Sequence, residues 1–281
     1  MDDTLLVPDL TIPPRSRGAL QKAADKGVLV TLATGRMFRS VLPYARELGI
    51  AAPLIAYNGA LIEHPQTGEI LFHEQIPFEH AKRVAAICRE NDLHLNVYIN
   101  DILYVERLRP EAEYYRRISG VESEVVGDLV KFLQNMEKSG SSAAGGGNGA
   151  GKSDKVPGGK LSPTKLLVVV APEASQKWLS LFRGQFPGIL HVTGSKPEFV
   201  EMMVDGVSKG RALAFLARRL GIEPADVMAI GDGYNDLEML QFAGVSVAMG
   251  NAPAVLKAQA TYVTRPNTEE GVAEAIERFV L

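Results

Sequence analysis

The sequence predicts an α/β fold with a parallel sheet, interrupted by a smaller inserted α+β unit. Three observations carry that prediction. Apolar runs rich in β-branched residues, VLVTLAT (28–34), PLIAYNGA (53–60) and VMAIGDG (227–233), alternate with helix-patterned segments, the order that right-handed βαβ crossovers produce. After Pro77 the pattern changes to helices mixed with alternating, hairpin-like strands. From about residue 193 the α/β alternation resumes. The implied organisation is a discontinuous core, 1–76 plus 193–281, carrying an inserted domain over 77–192.

The elements follow in order. SRGALQKAADKG (16–27) reads as a helix with Ser16 as N-cap and Gly27 as C-cap. VLVTLAT is apolar throughout, as suits a strand buried on both faces. MFRSVLPYARELG is helical, PLIAYNGA a short strand, and LIEHPQTGEILFHE a hairpin around Thr67-Gly68. In the insert, FEHAKRVAAICREN is helical and LHLNVYI and ILYVERL are strands joined through Asn100-Asp101. PEAEYYRRISG is a helix, TKLLVVVA a strand, PEASQKWLSLFRGQF a helix and ILHVTG a strand. FVEMM (199–203) leads into SKGRALAFLARRLG, a helix capped by Ser208. VMAIGDG is a buried strand, DLEMLQFAG a helix, VSVAMG a strand and GVAEAIERFVL a closing helix.

Composition narrows the function classes. A net charge of -3 gives no basic footprint for nucleic acid or an anionic membrane. No apolar run approaches the roughly 20 residues that span a bilayer, and the acidic start lacks the basic-then-apolar order of a signal peptide; the cytoplasm is the expected compartment. Cys88 is the single cysteine, so neither an internal disulfide nor a cysteine metal cluster is expected. The stretch 139–160 is glycine- and serine-rich and reads as a flexible insert. Within it Gly146–Ser153 matches the phosphate-loop pattern G-x-x-x-x-G-K-S. That pattern works only between a strand and a helix, and neither flank qualifies, so chance is the better reading.

The chemistry-bearing residues lie at strand ends. In VMAIGDGYNDLEML, Asp232 and Asp236 follow an apolar strand, where parallel strands face the ligand crevice. Two carboxylates there suit a hard divalent cation; the alternative is a turn aspartate and a helix cap. Thr34, Gly35 and Arg36 close VLVTLAT, where a hydroxyl and free amides can hold a phosphate oxygen, or simply make a turn. Lys209 stands in the first turn of a helix, which the helix dipole disfavours for a cation, so an anion nearby would account for it; a solvated lysine is the plain alternative. Asn58 follows PLIAY and suits either a donor to a substrate oxygen or an Asn-Gly turn.

Taken in this order, DDTLL, TLATGR, YNGA, an inserted α+β segment, VSKG and GDGYNDLEML resemble the haloacid dehalogenase superfamily, and more closely its Cof-type sugar-phosphatase branch with a C2-type cap. The likeness runs from the first residue through MGNAP (249–253) to VAEAI, leaving out only the glycine-rich insert. It implies a Rossmann-like core and Mg²⁺-dependent hydrolysis of small phosphate monoesters through an aspartyl-phosphate. Motif by motif, it implies Asp2 as general acid/base, with its main-chain carbonyl on magnesium, and Thr34 holding the phosphoryl group. Lys209 offsets charge, Asp232 is a metal ligand, Asp236 a supporting ligand, and Asn235 a phosphate-side contact. Such chemistry needs Mg²⁺ and a cation to make an anionic ester tolerable to carboxylates.

One departure is visible. The family's leading aspartate, the nucleophile, would stand immediately before Met1, and Asp3 occupies the Gly/Asp position. The expectation is a sequence that starts at an internal methionine, with residues 1–281 alone inactive; the alternative is a non-catalytic metabolite-binding relative. A phosphotransferase or mutase on the same core is the rival within enzymology. Tyr98, Asn100, Tyr104 and Arg107 are candidate cap contacts. The partner is a small phosphorylated metabolite, and a monomer or homodimer is expected.

Overall fold

The computed structural model describes residues 1–142 and 161–281. The phosphate-loop-like stretch and most of the glycine-rich insert therefore lie outside the described residues. The chain divides into two compact units, Met1–Phe72 with Ser208–Leu281, and His73–Val207. Among the described residues no helix is long and apolar enough to cross a membrane.

The first unit opens with a turn at Met1–Leu6, where Met1 O accepts from Leu5 N (2.9 Å) and Leu6 N (3.0 Å). Helix α1 (Pro14–Asp25) is entered through Pro13, not capped by Ser16, which is buried inside it. Proline fits a first helical position because the missing N–H is an orphan there anyway. Gly27 follows the helix at φ +85°, the left-handed geometry expected just past a C-cap. Helix α2 (Phe38–Glu47) buries Phe38, Val41 and Ala45, the spacing of one helical face. Strands β1 (Leu54–Ala56), β2 (Leu61–Glu63) and β3 (Ile70–His73) form a sheet in that order, β1 and β2 antiparallel. The expected turn at Thr67-Gly68 separates β2 from β3, with Gly68 at φ +69°.

The second unit is built on a six-stranded sheet. Helix α3 (Phe78–Glu90) leads to β4 (His94–Ile99) and β5 (Ile102–Val105), then α4 (Pro110–Ser119), β6 (Ser123–Val125) and α5 (Leu129–Ser142). After the glycine-rich stretch come β7 (Lys165–Val169), α6 (Ser175–Gln185), β8 (Leu190–Thr193) and β9 (Phe199–Val204). The strand order is β6-β5-β4-β7-β9-β8. The expected boundary after residue 192 falls short of β9, which pairs with both β7 and β8 and carries this unit on to Val207. Leu95, Val97, Ile99, Leu166, Val168, Val200 and Met202 point one way, into a core that includes α3 and α6 residues such as Val84, Cys88, Trp178 and Phe182. Alternation sends Asn96, Tyr98, Lys165 and Glu201 to the opposite face. Lys165 and Glu201 make a buried ion pair there, Nζ to Oε1 2.8 Å.

Returning to the first unit, α7 (Lys209–Leu220) is followed by β10 (Met228–Gly231), α8 (Leu237–Phe242), β11 (Val245–Ala248), α9 (Ala254–Lys257), β12 (Tyr262–Val263) and α10 (Gly271–Phe279). Strands β10, β11 and β12 pair in parallel. This is the parallel part of the α/β fold, and each strand end turns directly into a loop or helix start.

The run 28–34 departs from its expected form. It makes a single parallel bridge, Ala33 to Ile55, with Ile55 N donating to Leu32 O and Thr34 N to Ile55 O, each at 2.9 Å. Pairing begins only at Leu32, and Val28 (41%) and Leu29 (59%) are exposed. The core sheet is thus two three-stranded sheets, β1-β2-β3 and β10-β11-β12, because no strand among the described residues hydrogen-bonds to both.

Candidate active site

The site is built where the strand-end loops of the first unit meet. Asp236 is its centre. It sits at the end of a 3₁₀ turn, Tyr234–Asp236, 3% exposed. Its Oδ1 accepts from Lys209 Nζ at 2.6 Å, and its Oδ2 accepts from the main-chain N–H groups of Asp232 and Gly233, both at 3.0 Å. Burial pushes this carboxyl up, but the Lys209 charge and these hydrogen bonds bring it below the usual aspartate value. With both oxygens committed to protein donors, Asp236 is placed as a brace. It shapes the 232–233 turn and aims Lys209.

Lys209 opens α7 and is buried. Ser208 caps that helix as expected, accepting from Arg211 N at 3.1 Å. Asp236 is the anion that accounts for a cation at this helix start, and the solvated-lysine alternative falls with it.

Asp232 differs in character. It is half-buried, and its carboxylate accepts from the Thr4 hydroxyl. Burial raises its pKa, the Thr4 bond opposes that, and the Asp236 and Asp3 charges add to the rise. Asp232 is thus the carboxylate that a cation would relieve. Among the described residues no three His, Cys, Asp or Glu side chains gather into a ready-made metal cage. A magnesium ion does not require one. It keeps several waters and takes one or two carboxylates plus substrate phosphate, so the donor set around Asp232 fits it. Thr4 was read in the sequence only as part of a motif; its hydroxyl bond to Asp232 shows a site role.

The residues expected on the phosphate side form a second group. Thr34 is 2% exposed; its Oγ1 accepts from Arg36 N at 3.1 Å, which leaves its hydroxyl proton free to donate. Asn58 reaches the same place from the turn after β1. Tyr57 and Asn58 both hold left-handed backbone, φ 50° and 52°, a region that asparagine tolerates and tyrosine rarely visits. Asn58 N donates to Thr34 O at 2.8 Å, and Asn58 Oδ1 accepts from Asn235 Nδ2 at 3.0 Å. Gly35 makes this possible, since a Cβ there would lie 2.9 Å from Asn58 Oδ1. Thr34, Gly35, Asn58 and Asn235, expected together, come together.

Asp2 and Arg36 are drawn to each other. Arg36 Nε donates to both Asp2 oxygens, at 3.1 and 2.9 Å, Nη2 donates to Oδ1, and the guanidinium lies 5.7 Å from the Tyr44 ring centroid. Burial alone would raise the Asp2 carboxyl, but the Arg36 bonds and charge bring it below its usual value. Arg36 was expected on phosphate; in this structure its guanidinium serves Asp2.

The four candidate cap contacts do not form a set. Tyr104 pairs with Val97 and packs on Phe132, centroids 4.8 Å apart, on the helix-covered face. Tyr98 lies on the opposite face, with Lys165 Nζ 5.8 Å from its ring centroid. Asn100 and Asp101 are the left-handed turn residues between β4 and β5, φ 50° and 56°. Arg107 is exposed and paired with Asp92 at 3.0 Å.

The chain is similar to known proteins over its whole length. The family model described as haloacid dehalogenase-like hydrolase matches residues 1–276. The Bacillus subtilis protein YxeH is 33% identical over 285 residues, covering 100% of this chain and 96% of that protein. YwtE of the same organism, named as a 5-amino-6-(5-phospho-D-ribitylamino)uracil phosphatase, is 30% identical over 291 residues, with 100% and 96% coverage. The crystal structure of a haloacid dehalogenase-like hydrolase from Bacteroides thetaiotaomicron superposes with a TM-score of 0.83 at 29% identity, covering 99% of this chain and 96% of that one. A C-terminal-loop pair that the sequence reading passed over, Asn251 and Asn267, also reaches the Asp2 turn. Fold, ordered motifs and whole-length kinship agree: the chain belongs to the haloacid dehalogenase-like hydrolase family.

Proposed function

We propose that this phosphatase hydrolyses small phosphate monoesters on polyhydroxylated carbon chains, sugar and polyol phosphates, through an aspartyl-phosphate and with Mg²⁺ at Asp232. The observation that carries the reading is the buried Lys209–Asp236 pair beside the half-buried Asp232. One cation is fixed and one carboxylate is left to seek another, which is the charge balance a phosphate dianion needs. When bound, magnesium supplies Lewis-acid polarisation of the phosphoryl oxygens.

In this reading Thr34, Asn58 and Asn235 orient the phosphoryl oxygens, and Lys209 neutralises charge that builds on them. Asp236 keeps Lys209 aimed. Asp2 gives a proton to the leaving alkoxide and takes one from the attacking water. Arg36 keeps Asp2 ionised, which favours the water-activating half of that role. The polyol part of the proposal is supported by YwtE, whose named substrate carries a phosphorylated ribityl chain.

The protein is expected to release inorganic phosphate from sugar and polyol phosphates when Mg²⁺ is present, and hydroxylamine is expected to trap the aspartyl-phosphate as a hydroxamate. Turnover with no trapped adduct would overturn the covalent mechanism. Activity unaffected by EDTA would remove the metal. Phosphate passing to a sugar acceptor without release of inorganic phosphate would favour a transferase.

A further inference from the structure

We propose that Asn251 and Asn267 are positioning residues, a two-carboxamide brace that holds the Asp2–Leu6 main chain in its working posture; the proposal rests on the reading of Asp2 and Asp232 given above. Asn251 Nδ2 donates to Asp3 O at 2.8 Å. Asn251 Oδ1 accepts from Asn267 N at 3.1 Å, and Asn267 Nδ2 donates to Leu6 O at 2.8 Å. Three hydrogen bonds from two side chains thus join three segments, the first turn, the loop after β11 and the loop before α10.

The first turn needs holding. Asp3 has φ 54°, a left-handed conformation that persists in a non-glycine residue when its surroundings hold it there. Its two neighbours serve different parts of the site, Asp2 facing Arg36 and Thr4 facing Asp232. Relaxation at Asp3 therefore moves both together. The carbonyls of Asp3 and Leu6, one on each side of Thr4, are the two that the brace grips.

The brace is also keyed to the strand that carries Asp232. Met249 N donates to Gly231 O at 2.9 Å, one residue before Asp232. Gly250 N donates to Arg265 O at 3.1 Å, and a Cβ at Gly250 would lie 2.6 Å from Pro266 N and 2.7 Å from Arg265 C. Only glycine lets the loops close to this distance. One loop thereby sets the register between the Asp2 turn and the Asp232 strand end.

The test uses the full chain, Asn251→Ala and Asn251→Asp. The aspartate keeps the acceptor for Asn267 N and loses the donor to Asp3 O. Amide hydrogen exchange is read at Leu5, Leu6 and Val7, and affinity for Mn²⁺, standing in for Mg²⁺, by electron paramagnetic resonance. Both variants are expected to speed exchange at these amides, and Asn251→Ala to weaken Mn²⁺ binding, each by about five- to tenfold, while the urea midpoint stays that of the unsubstituted chain, as suits an exposed side chain. Unchanged exchange in both variants overturns the brace. Faster exchange with undiminished Mn²⁺ affinity also overturns it, as a contact of the fold alone. If the unsubstituted chain binds no Mn²⁺, the metal reading of Asp232 fails, and the brace stands or falls on exchange. Asn267→Ala, which frees Leu6 O, supplies an independent second variant with the same expected direction.

Discussion

Arg36 grips the Asp2 carboxylate from the side, its Nε shared between both oxygens at 2.9 and 3.1 Å. The two residues come from opposite ends of the unit's first 36 residues, and neither one's partner is evident from its own motif. The pairing makes the ionisation of Asp2 a property of the tertiary structure. Arg36→Ala leaves the burial that raises the Asp2 carboxyl and removes the charge that lowers it. The Asp2 pKa is expected to move up past its ordinary value of 3.8, read by carboxyl ¹³C titration. Because the folded-state value is depressed in the unsubstituted protein, the pairing contributes stability above the unfolded pKa and loses it as pH falls through the folded value. In Arg36→Ala that acid-side loss shrinks.

The Lys209–Asp236 pair predicts a large stability effect. Both side chains are buried, 5% and 4% exposed. Lys209→Met leaves Asp236 with only its two main-chain donors and is expected to cost about 3–5 kcal/mol in urea unfolding, the range for an uncompensated buried charge. Asp236→Asn strands the ammonium and costs a similar amount. The double variant is expected to cost less than the sum of the two, because each single change includes the other's lost partner.

Asp232→Asn separates binding from folding. Without metal, replacing a carboxyl whose pKa is raised by burial is expected to leave the melting temperature equal or higher at neutral pH. With MgCl₂ the unsubstituted protein is expected to gain about 2.7 kcal/mol at a hundredfold excess over Kd, and the variant none. Differential scanning calorimetry at two magnesium concentrations reads both arms. A variant that still gains from magnesium would place the ion elsewhere.

Asn58 carries a backbone and a side-chain role that substitution can divide. Asn58→Ala keeps a Cβ at φ 52° without the local polar contacts that ease it, and is expected to destabilise by about 1–2 kcal/mol beyond the lost Asn235 bond. Asn58→Gly relieves the backbone and loses only the bond. The glycine variant is therefore expected to be the more stable, while both weaken binding of inorganic phosphate, measured by calorimetry.

The exposed half of the run 28–34 gives a contrast within one segment. Leu29→Ser, at 59% exposure, is expected to change stability by no more than about 0.5 kcal/mol. Ile55→Ala, on the fully buried strand that the run pairs with, is expected to cost about 2–5 kcal/mol. A large loss at Leu29 would restore the expectation of a strand buried on both faces.

Periodicity and turn chemistry in the sequence were enough to foresee the alternation of helices and strands, the Ser208 cap, and the Gly27 and Gly68 turns, because these depend on neighbours within a few residues. The meeting of Asn58 with Asn235, 177 positions apart, was implied only by the resemblance of the ordered motifs to a known family. Periodicity and turn chemistry were not enough to show that VLVTLAT pairs only from Leu32, since an apolar run has the same composition whether one edge or both are paired. Likewise β9 joins the inserted unit through β7 and β8, which no local signal at FVEMM specifies. The partners of the charges were decided wholly in three dimensions. Arg36 took Asp2, Asp236 took Lys209 and two amides, and Asn251 took the carbonyl of Asp3, 248 positions away. The sequence by itself determined which groups are present at the strand ends; the tertiary structure decided which meet, because hydrogen bonds and ion pairs act over a few ångströms and chain separation says nothing about that distance.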